Sequence, residues 1–537
     1  MKEKKLLLGN EAVAMGAVNA GISGVYAYPG TPSTEITEYI QSLSITKKRG
    51  IYSRWCTNEK VALETALGVS YVGKRVLVCM KHVGLNVAAD PFMNGIIAGA
   101  NGGIVLVTAD DPSMHSSQNE QDNRFYSKFG FCPCLEPSNQ QEAYDMMNYG
   151  FELSEKNNTL VLLRITTRMA HSRSIVEIDA EAKPIAKEIK FPAHPNEWIT
   201  LPANTRKKYP TVLANYNELE EKSLELPFNN YFEGKSTKLG IIASGIANNY
   251  LRENIGYDTD YPVLKICQYP FPKKQIVKMA EQCESLLIIE EGQPVIEEMV
   301  RGVFPTKTKI MGRLSGELPR AGELSPDDVR VALGMKVNKY HKPSENVVPR
   351  PPALCEGCGH RDVYNSLNEV LRSYPNHKVF SDIGCYTLGA LPPFRSINTC
   401  IDMGASITMA KGAADAGLYP SVAVIGDSTF THSGMTGLLD AVNVNADMTI
   451  IISDNLTTAM TGGQDSAGTG RLEDICRGIG VNPDHLRVVI PTPKTLEEVE
   501  KVLKEEIEYH GLSVVIPRRE CIQSFRRHAK ERKKNAK

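Results

Sequence analysis

The chain has 537 residues, 42% of them hydrophobic and 23% charged, with a net charge of −1. That length exceeds one ordinary core and points to about three domains, while the near-neutral balance excludes binding to nucleic acid through overall basic charge. The opening MKEKKLLLGNEAVAMGAV is a poor export signal and no run approaches the roughly eighteen apolar residues of a membrane span, so the twelve cysteines imply a reducing cytoplasm rather than a disulfide framework.

From residue 1 to about 190, apolar runs alternate with amphipathic stretches. RVLVCM (75–80), GGIVLVTAD (102–110) and LVLLRITT (160–167) predict buried parallel strands, and EKVALETALGVSYVG (59–73) predicts a helix between them. Residues 191–235 lose this periodicity; PAHPNEWITLPANTRKKYP and LELPFNNYFEGKSTK suggest a linker along the surface. A smaller α/β domain is expected over 236–345, with strand–turn–helix candidates in KLGIIASGIANNYL, YPVLKICQYP and SLLIIEEG, closed by the Pro-rich KPSENVVPRPPA. The third domain, 346–537, again carries buried-strand runs: HKVFSDIG, SVAVIGDS, MTIIISDN and GLSVVIP. The fold class is therefore α/β with parallel sheets.

Two strand ends in the third domain carry chemistry. SVAVIGDS ends in Gly426-Asp427-Ser428, and MTIIISDN ends 28 residues later in Asp454-Asn455. A divalent cation that holds a diphosphate wants oxygen ligands, which Asp427 and Asn455 supply from side chains and Thr457 from its carbonyl. Strand ends of a parallel sheet are where ligands sit, and Gly426 lets backbone approach phosphate. Ordinary strand-to-loop turns also favour Asp and Asn, but the pair together resembles the thiamine-diphosphate pattern GDG…NN, with Ser428 and Asp454 as departures. ALCEGCGHRD (353–362) sets Cys355 and Cys358 at C-x2-C spacing, which suits a metal site, a redox dithiol or simple packing.

YPGTPSTEI (28–36), WCTNEKVALE (55–64) and KHVGLNVAADPF (81–92) resemble the pyrimidine-binding domain of 2-oxoacid:ferredoxin oxidoreductases. ADDPSMHSSQNEQDNR and RITTRMAHS extend the resemblance to nearly the whole chain, closest to the branch acting on aryl 2-oxo acids. The resemblance implies two thiamine-diphosphate-binding domains, with a transketolase-C-terminal-like domain between them. Glu59 then falls at the catalytic glutamate, with Glu64 as its rival. Thr31 matches a threonine that meets the substrate carboxylate, and His82 and His115 fall on loops near the substrate. Gly384 and Gly404 join Gly426, Asp427, Ser428 and Asn455 in cofactor binding, with Mg2+ held by Asp427, Asn455 and Thr457.

The same resemblance makes Cys355, Cys358, Cys385 and Cys521 ligands of one [4Fe–4S] cluster. A four-cysteine zinc site has the same donors, but zinc is redox-inert and this thiamine chemistry needs an electron acceptor. The implied reaction decarboxylates an arylpyruvate such as indolepyruvate, passes electrons to ferredoxin and gives the acyl group to coenzyme A. A non-oxidative decarboxylase and a silent scaffold subunit are the rival readings. The implied partners are a smaller second subunit and another copy of this chain. Relatives usually continue into a ferredoxin-like domain; here the sequence ends 16 residues after Cys521, in the basic stretch SFRRHAKERKKNAK. Electrons are therefore expected to leave directly from the one cluster.

Overall fold

The computed structural model describes residues 2–186, 188–191, 198–303, 308–337, 340, 342–348 and 352–535. Parts of the expected linker (192–197) and of the Pro-rich closure (349–351) lie outside the described residues, as do the tail's side chains beyond residue 530. The chain divides into two compact units, Met1–His341 and Lys342–Lys537.

In the first unit the strands in chain order are β1 (Lys2–Leu8), β2 (Gly24–Ala27), β3 (Tyr52–Trp55), β4 (Val76–Lys81), β5 (Ile104–Asp110), β6 (Cys134–Leu135), β7 (Val161–Thr166) and β8 (Arg173–Asp179). They continue as β9 (Asn230–Phe232), β10 (Leu239–Ser244), β11 (Val263–Ile266), β12 (Gln268–Tyr269), β13 (Ser285–Ile289) and β14 (Lys309–Met311). A seven-stranded sheet runs β12-β6-β7-β5-β4-β2-β3 and a five-stranded sheet runs β14-β13-β10-β11-β9. Strands β4, β5 and β7 are rich in Val, Ile and Leu because helices cover both faces of a parallel sheet, and almost all their residues are buried. β1 closes antiparallel on β8, with Lys2 opposite Asp179.

Two features depart from the sequence reading. The expected linker contains a 20-residue helix, Pro202–Glu221, in which Leu219 alone is buried. Tyr209, Val212, Tyr216 and Leu219 form its inward stripe, with Tyr209 and Tyr216 edge-on to Phe131, and polar contacts help fasten it: Lys208 Nζ donates to the Ala98 carbonyl at 2.8 Å and Asn215 Nδ2 to that of Asn157 at 3.2 Å. The smaller sheet also begins before residue 236, since β9 forms its antiparallel edge, too short to leave a pattern.

The first two expected domains form one unit because they share a sheet and a buried network of charges. β12, from the smaller domain's sequence, pairs antiparallel with β6 in the larger sheet. Arg164 on β7 is fully buried; it meets Asp110 at 2.6 Å, pairs with Glu136 and donates to the Glu291 carbonyl at 3.0 Å. Arg124 pairs with Asp122 and meets Glu290 at 3.0 Å and the Tyr269 hydroxyl at 3.1 Å. Burial pushes Asp110, Glu290 and Glu291 each up to about 7 against their arginine partners. Burial acts the same way on Asp122, but Arg124 and Arg164 overcome it and hold that carboxyl down at about 2.

The second unit contains β15 (Lys378–Ser381), β16 (Ser421–Gly426), β17 (Met448–Ser453), β18 (Leu486–Val489) and β19 (Leu512–Pro517). They form a five-stranded sheet, β15-β16-β17-β19-β18, with every pair parallel. Alternate residues serve opposite faces, as the two-residue period of a strand requires. Val422 and Val424 pack with helices Gly359–Leu371 and Leu496–Glu508, whereas Ala423 and Ile425 pack with Ala405–Asp415 and Met435–Asn443.

Candidate active site

Because the second unit's sheet is wholly parallel, the loops after β15, β16, β17 and β19 leave from one edge. That edge receives Cys385, Asp427, Asn455 and Cys521. Asp427 is 2% exposed, and its Oδ2 has no hydrogen-bond partner among the described residues. Burial pushes its carboxyl up to about 7, with nearby Asp454 adding and the Ser466 hydroxyl opposing. A buried carboxylate oxygen left unpaired is costly, and a hard cation is the partner its chemistry fits.

Asn455 belongs to a constrained loop. Its Oδ1 accepts from the Thr457 N–H at 3.2 Å, and its Nδ2 lies 3.4 Å from His360 Nε2. Leu456, between them, has φ +64°, a left-handed backbone that leucine adopts only when its surroundings impose it. The Thr457 hydroxyl and the Thr458 N–H both donate to the Gln464 carbonyl, at 2.8 and 2.9 Å. Ser428, which replaces the usual glycine, turns its hydroxyl to Thr458 at 2.8 Å. Asp454, which replaces the usual asparagine, pairs with Arg518 at 2.6 Å. Both departures thus brace the loop.

Gly384 and Gly426 answer to one aromatic ring. A Cβ at either would stand 2.3 or 2.6 Å from Cε1 of Tyr386, so the close approach that Gly426 makes is to this ring. The Tyr386 hydroxyl bonds Asp382, which is fully buried and also accepts from the N–H groups of Gly404 (3.2 Å) and Ser406 (3.1 Å). Asp382, pushed up to about 6 by burial, is absent from the sequence reading. The signal was there: FSDIG, like VIGDS, sets an aspartate just past the end of a strand.

The four cysteines also meet in the second unit. Cys355, Cys358, Cys385 and Cys521 line one cavity of about 100 Å³, together with His360, Asn455 and Arg519. The Cys358 N–H donates to the Cys355 carbonyl at 3.1 Å, forming the tight turn that C-x2-C spacing suits. Burial pushes Cys385 up to about 12, and Cys358, Cys521 and Cys355 add to the shift, so the sulfurs lie within one another's fields. Among the described residues, no group of three or more His, Cys, Asp or Glu is gathered closely enough to hold a single metal ion. The thiols surround a space, and four thiolates around a cavity are a donor set that fits a multi-iron cluster. The cysteine loop is joined to the Asn455 loop: Cys521 N–H donates to the Asn455 carbonyl at 3.0 Å, and Arg519 N–H to that of Asp454 at 2.9 Å.

In the first unit, adjacent parallel strands β5, β4, β2 and β3 likewise send their following loops to one edge. Glu59 opens helix Glu59–Tyr71 behind the Asn58 cap and is 6% exposed. Its carboxyl lies against Gly84, where a Cβ would stand 2.6 Å from Glu59 Cγ. Glu64, its rival, has a side chain 46% exposed and pairs with Lys60. Half-buried Thr31 follows β2. His82 is fully buried with Nε2 3.2 Å from the Asn119 carbonyl, and burial, with Lys81 adding, lowers its pKa, leaving the ring neutral.

Lys81 is a further candidate that the sequence reading missed. It ends β4 beside Gly30, donates to the Ser116 carbonyl at 2.7 Å and is pushed down to about 8 by burial. His115 lies one residue before Ser116, on the loop that meets Lys81 and His82; its side chain is 52% exposed and lies 3.4 Å from Glu323. Its loop carries strained backbone at Ser113 (φ 68°) and Met114 (φ 55°). Asp111 holds that loop by accepting from the Ser116 N–H at 2.8 Å and the Ser117 hydroxyl at 2.6 Å.

Residues 15–226 match the family model described as pyruvate flavodoxin/ferredoxin oxidoreductase, thiamine diP-binding, and 382–516 match the thiamine pyrophosphate enzyme, C-terminal TPP-binding domain. Fold and matches together define an oxidoreductase built on thiamine-diphosphate-binding domains. A solved structure of 2-oxoglutarate:ferredoxin oxidoreductase from Magnetococcus marinus shares the fold at TM-score 0.50 and 17% identity, over 62% of this chain and 65% of that one. Indolepyruvate oxidoreductase subunit IorA of Thermococcus kodakarensis is 39% identical over 97% of this chain and 86% of its own length; that of Pyrococcus horikoshii is 39% identical over 98% and 88%. The chain belongs to the family of these IorA subunits, within the 2-oxoacid:ferredoxin oxidoreductases. Among the described residues, no helix is long and apolar enough to cross a membrane.

Proposed function

We propose that the chain is the large subunit of an enzyme that oxidatively decarboxylates an arylpyruvate such as indolepyruvate, forms the aryl-acetyl-CoA and passes two electrons to ferredoxin. The observation that carries this reading is the cavity lined by Cys355, Cys358, Cys385 and Cys521, on the same sheet edge as Asp427 and Asn455. Thiamine diphosphate, when bound, supplies the carbon nucleophile and electron sink that the protein lacks. Asp427 and Asn455, with the Thr457 carbonyl, hold Mg2+ and through it the diphosphate. The four thiolates hold a [4Fe–4S] cluster as the electron outlet. Buried Glu59 hydrogen-bonds the aminopyrimidine and shifts its protonation, while Thr31, neutral His82 and His115 serve the substrate. The partners are a smaller second subunit, a second copy of this chain and ferredoxin.

The test is anaerobic co-purification with the smaller subunit, followed by dye reduction with arylpyruvate and coenzyme A. About four irons per chain are expected, and Glu59→Gln should abolish turnover while thiamine diphosphate stays bound. Stoichiometric zinc without visible absorption, or release of an aldehyde without dye reduction, would overturn the proposal.

A further inference from the structure

Helix Ile522–Asn535 begins one residue after Cys521 and is fastened rather than loose. Gln523 Nε2 donates to Cys355 Sγ at 3.4 Å, and Ser524 is 5% exposed. Arg527 donates to the carbonyls of Gly462 and Gly463 at 2.9 and 3.1 Å, the latter two residues before Asp465 and well outside the helix itself. Yet Arg526, Arg527 and Lys530 are exposed, and so is the neighbouring Phe525, at 55%. From Arg519 to Lys537 the sequence holds eight Lys and Arg against Glu520 and Glu531, a balance of +6 in a chain of net charge −1, which leaves −7 on everything before it. Cys355, at the mouth of the same cavity, is exposed, whereas Cys358, Cys385 and Cys521 are partly covered.

We infer that this helix is the docking surface for a small acidic one-electron carrier protein, which it seats beside Cys355. The inference rests on the proposed role of the four cysteines as the electron outlet. Charge complementarity argues for the acidic partner. A concentrated positive field on an otherwise acidic chain steers an anionic surface to this place, and the other acidic regions repel it elsewhere. An exposed aromatic residue on a helix that also exposes Arg526 and Lys530 has the composition of an interface centre with a polar rim. Each docking moves one electron from the reduced cluster to the oxidised carrier, so two carriers are reduced for each 2-oxo acid oxidised.

The test measures binding of an oxidised, acidic [4Fe–4S] ferredoxin to the anaerobically purified holoenzyme by calorimetry, at low and high salt. Arg526→Glu/Lys530→Glu spares Arg527, which holds the glycine carbonyls. The double variant should weaken ferredoxin binding about tenfold or more at low salt and flatten its salt dependence, with reduction of a small neutral dye unchanged. Unaltered ferredoxin affinity in the variant overturns the inference. So does equally tight binding of a duplex DNA, which would make the helix a nucleic-acid surface. Salt-sensitive ferredoxin binding without arylpyruvate-driven dye reduction would leave the docking surface standing and remove the substrate reading instead.

Discussion

Replacing Arg164 by methionine tests whether the buried charges fuse the first unit. The change removes the guanidinium that Asp110 meets at 2.6 Å, that pairs with Glu136 and that approaches Asp122 at 3.4 Å. Leaving buried carboxylates without a partner costs about 3–5 kcal/mol, and that figure applies where they stay ionised. Asp110, with Arg164 present, already sits at about 7, far above an unfolded aspartate. A carboxyl whose folded pKa is raised contributes stability that is present at low pH and lost as pH rises through that folded value. Without Arg164 the pKa of Asp110 rises further, so at pH 6 the group is protonated and part of the loss is avoided. With Arg164 present Asp110 is itself protonated below about pH 7, so only the interval from 7 to 8 separates the two chains, about 1.4 kcal/mol for one carboxyl. The expected loss is therefore about 3–5 kcal/mol at pH 8 and about 2–4 kcal/mol at pH 6. Both tryptophans, Trp55 and Trp198, fall in the first unit, so tryptophan fluorescence during urea unfolding reports on it alone. A loss below about 1 kcal/mol at both pH values, or a larger one at pH 6, would refute the reasoning.

Gly84→Ala places a Cβ 2.6 Å from Glu59 Cγ and should displace that carboxyl; turnover is expected to fall on the order of a hundredfold with thiamine diphosphate still bound, and an unchanged rate would show that the contact does not position Glu59. Gly426→Ala drives a Cβ to 2.6 Å from the Tyr386 ring and should cost about 1–3 kcal/mol of overpacking; hydrogen exchange along β16 measures it, and Tyr386→Leu in the same chain should recover part of the loss. Arg518→Leu leaves Asp454 without its partner at 2.6 Å and loosens the Asn455 loop. Calorimetry should then find thiamine diphosphate affinity about tenfold weaker, consistent with loss of a supporting contact one shell from the ligand, and full affinity would limit Arg518 to folding.

The parallel strands were legible because burial on both faces leaves nearly continuous Val and Ile, as in VLVCM and SVAVIG. Asp427, Asn455 and the C-x2-C pair were legible because each motif is local. What escaped depends on partners far apart in the chain. Arg124 and Arg164 look like surface charges in QDNR and LLRIT, and only the fold brings Glu290 and Glu291 to them. Asp382 escaped because its partners, Gly404 and Ser406, come from the start of helix Ala405–Asp415, more than twenty residues on. The helix Pro202–Glu221 escaped because Pro210 within it lowers its propensity and its inward stripe, Tyr209, Val212, Tyr216 and Leu219, is half tyrosine and reads as polar. His115 was likewise read from its motif alone, and its contact with Glu323, from far along the chain, appears only in the fold.

The hydrogen bonds from Cys521 to Asn455 and from Arg519 to Asp454 carry the β17–β19 ladder past the ends of both strands. Neighbouring strands lie about 4.8 Å apart, whatever their side chains. On the proposed reading, the spacing between the thiolate cavity and the loop for the diphosphate's cation is thus set in backbone, the least variable ruler a protein possesses. Substitutions that reshape a substrate pocket in side chains alone would leave that spacing untouched.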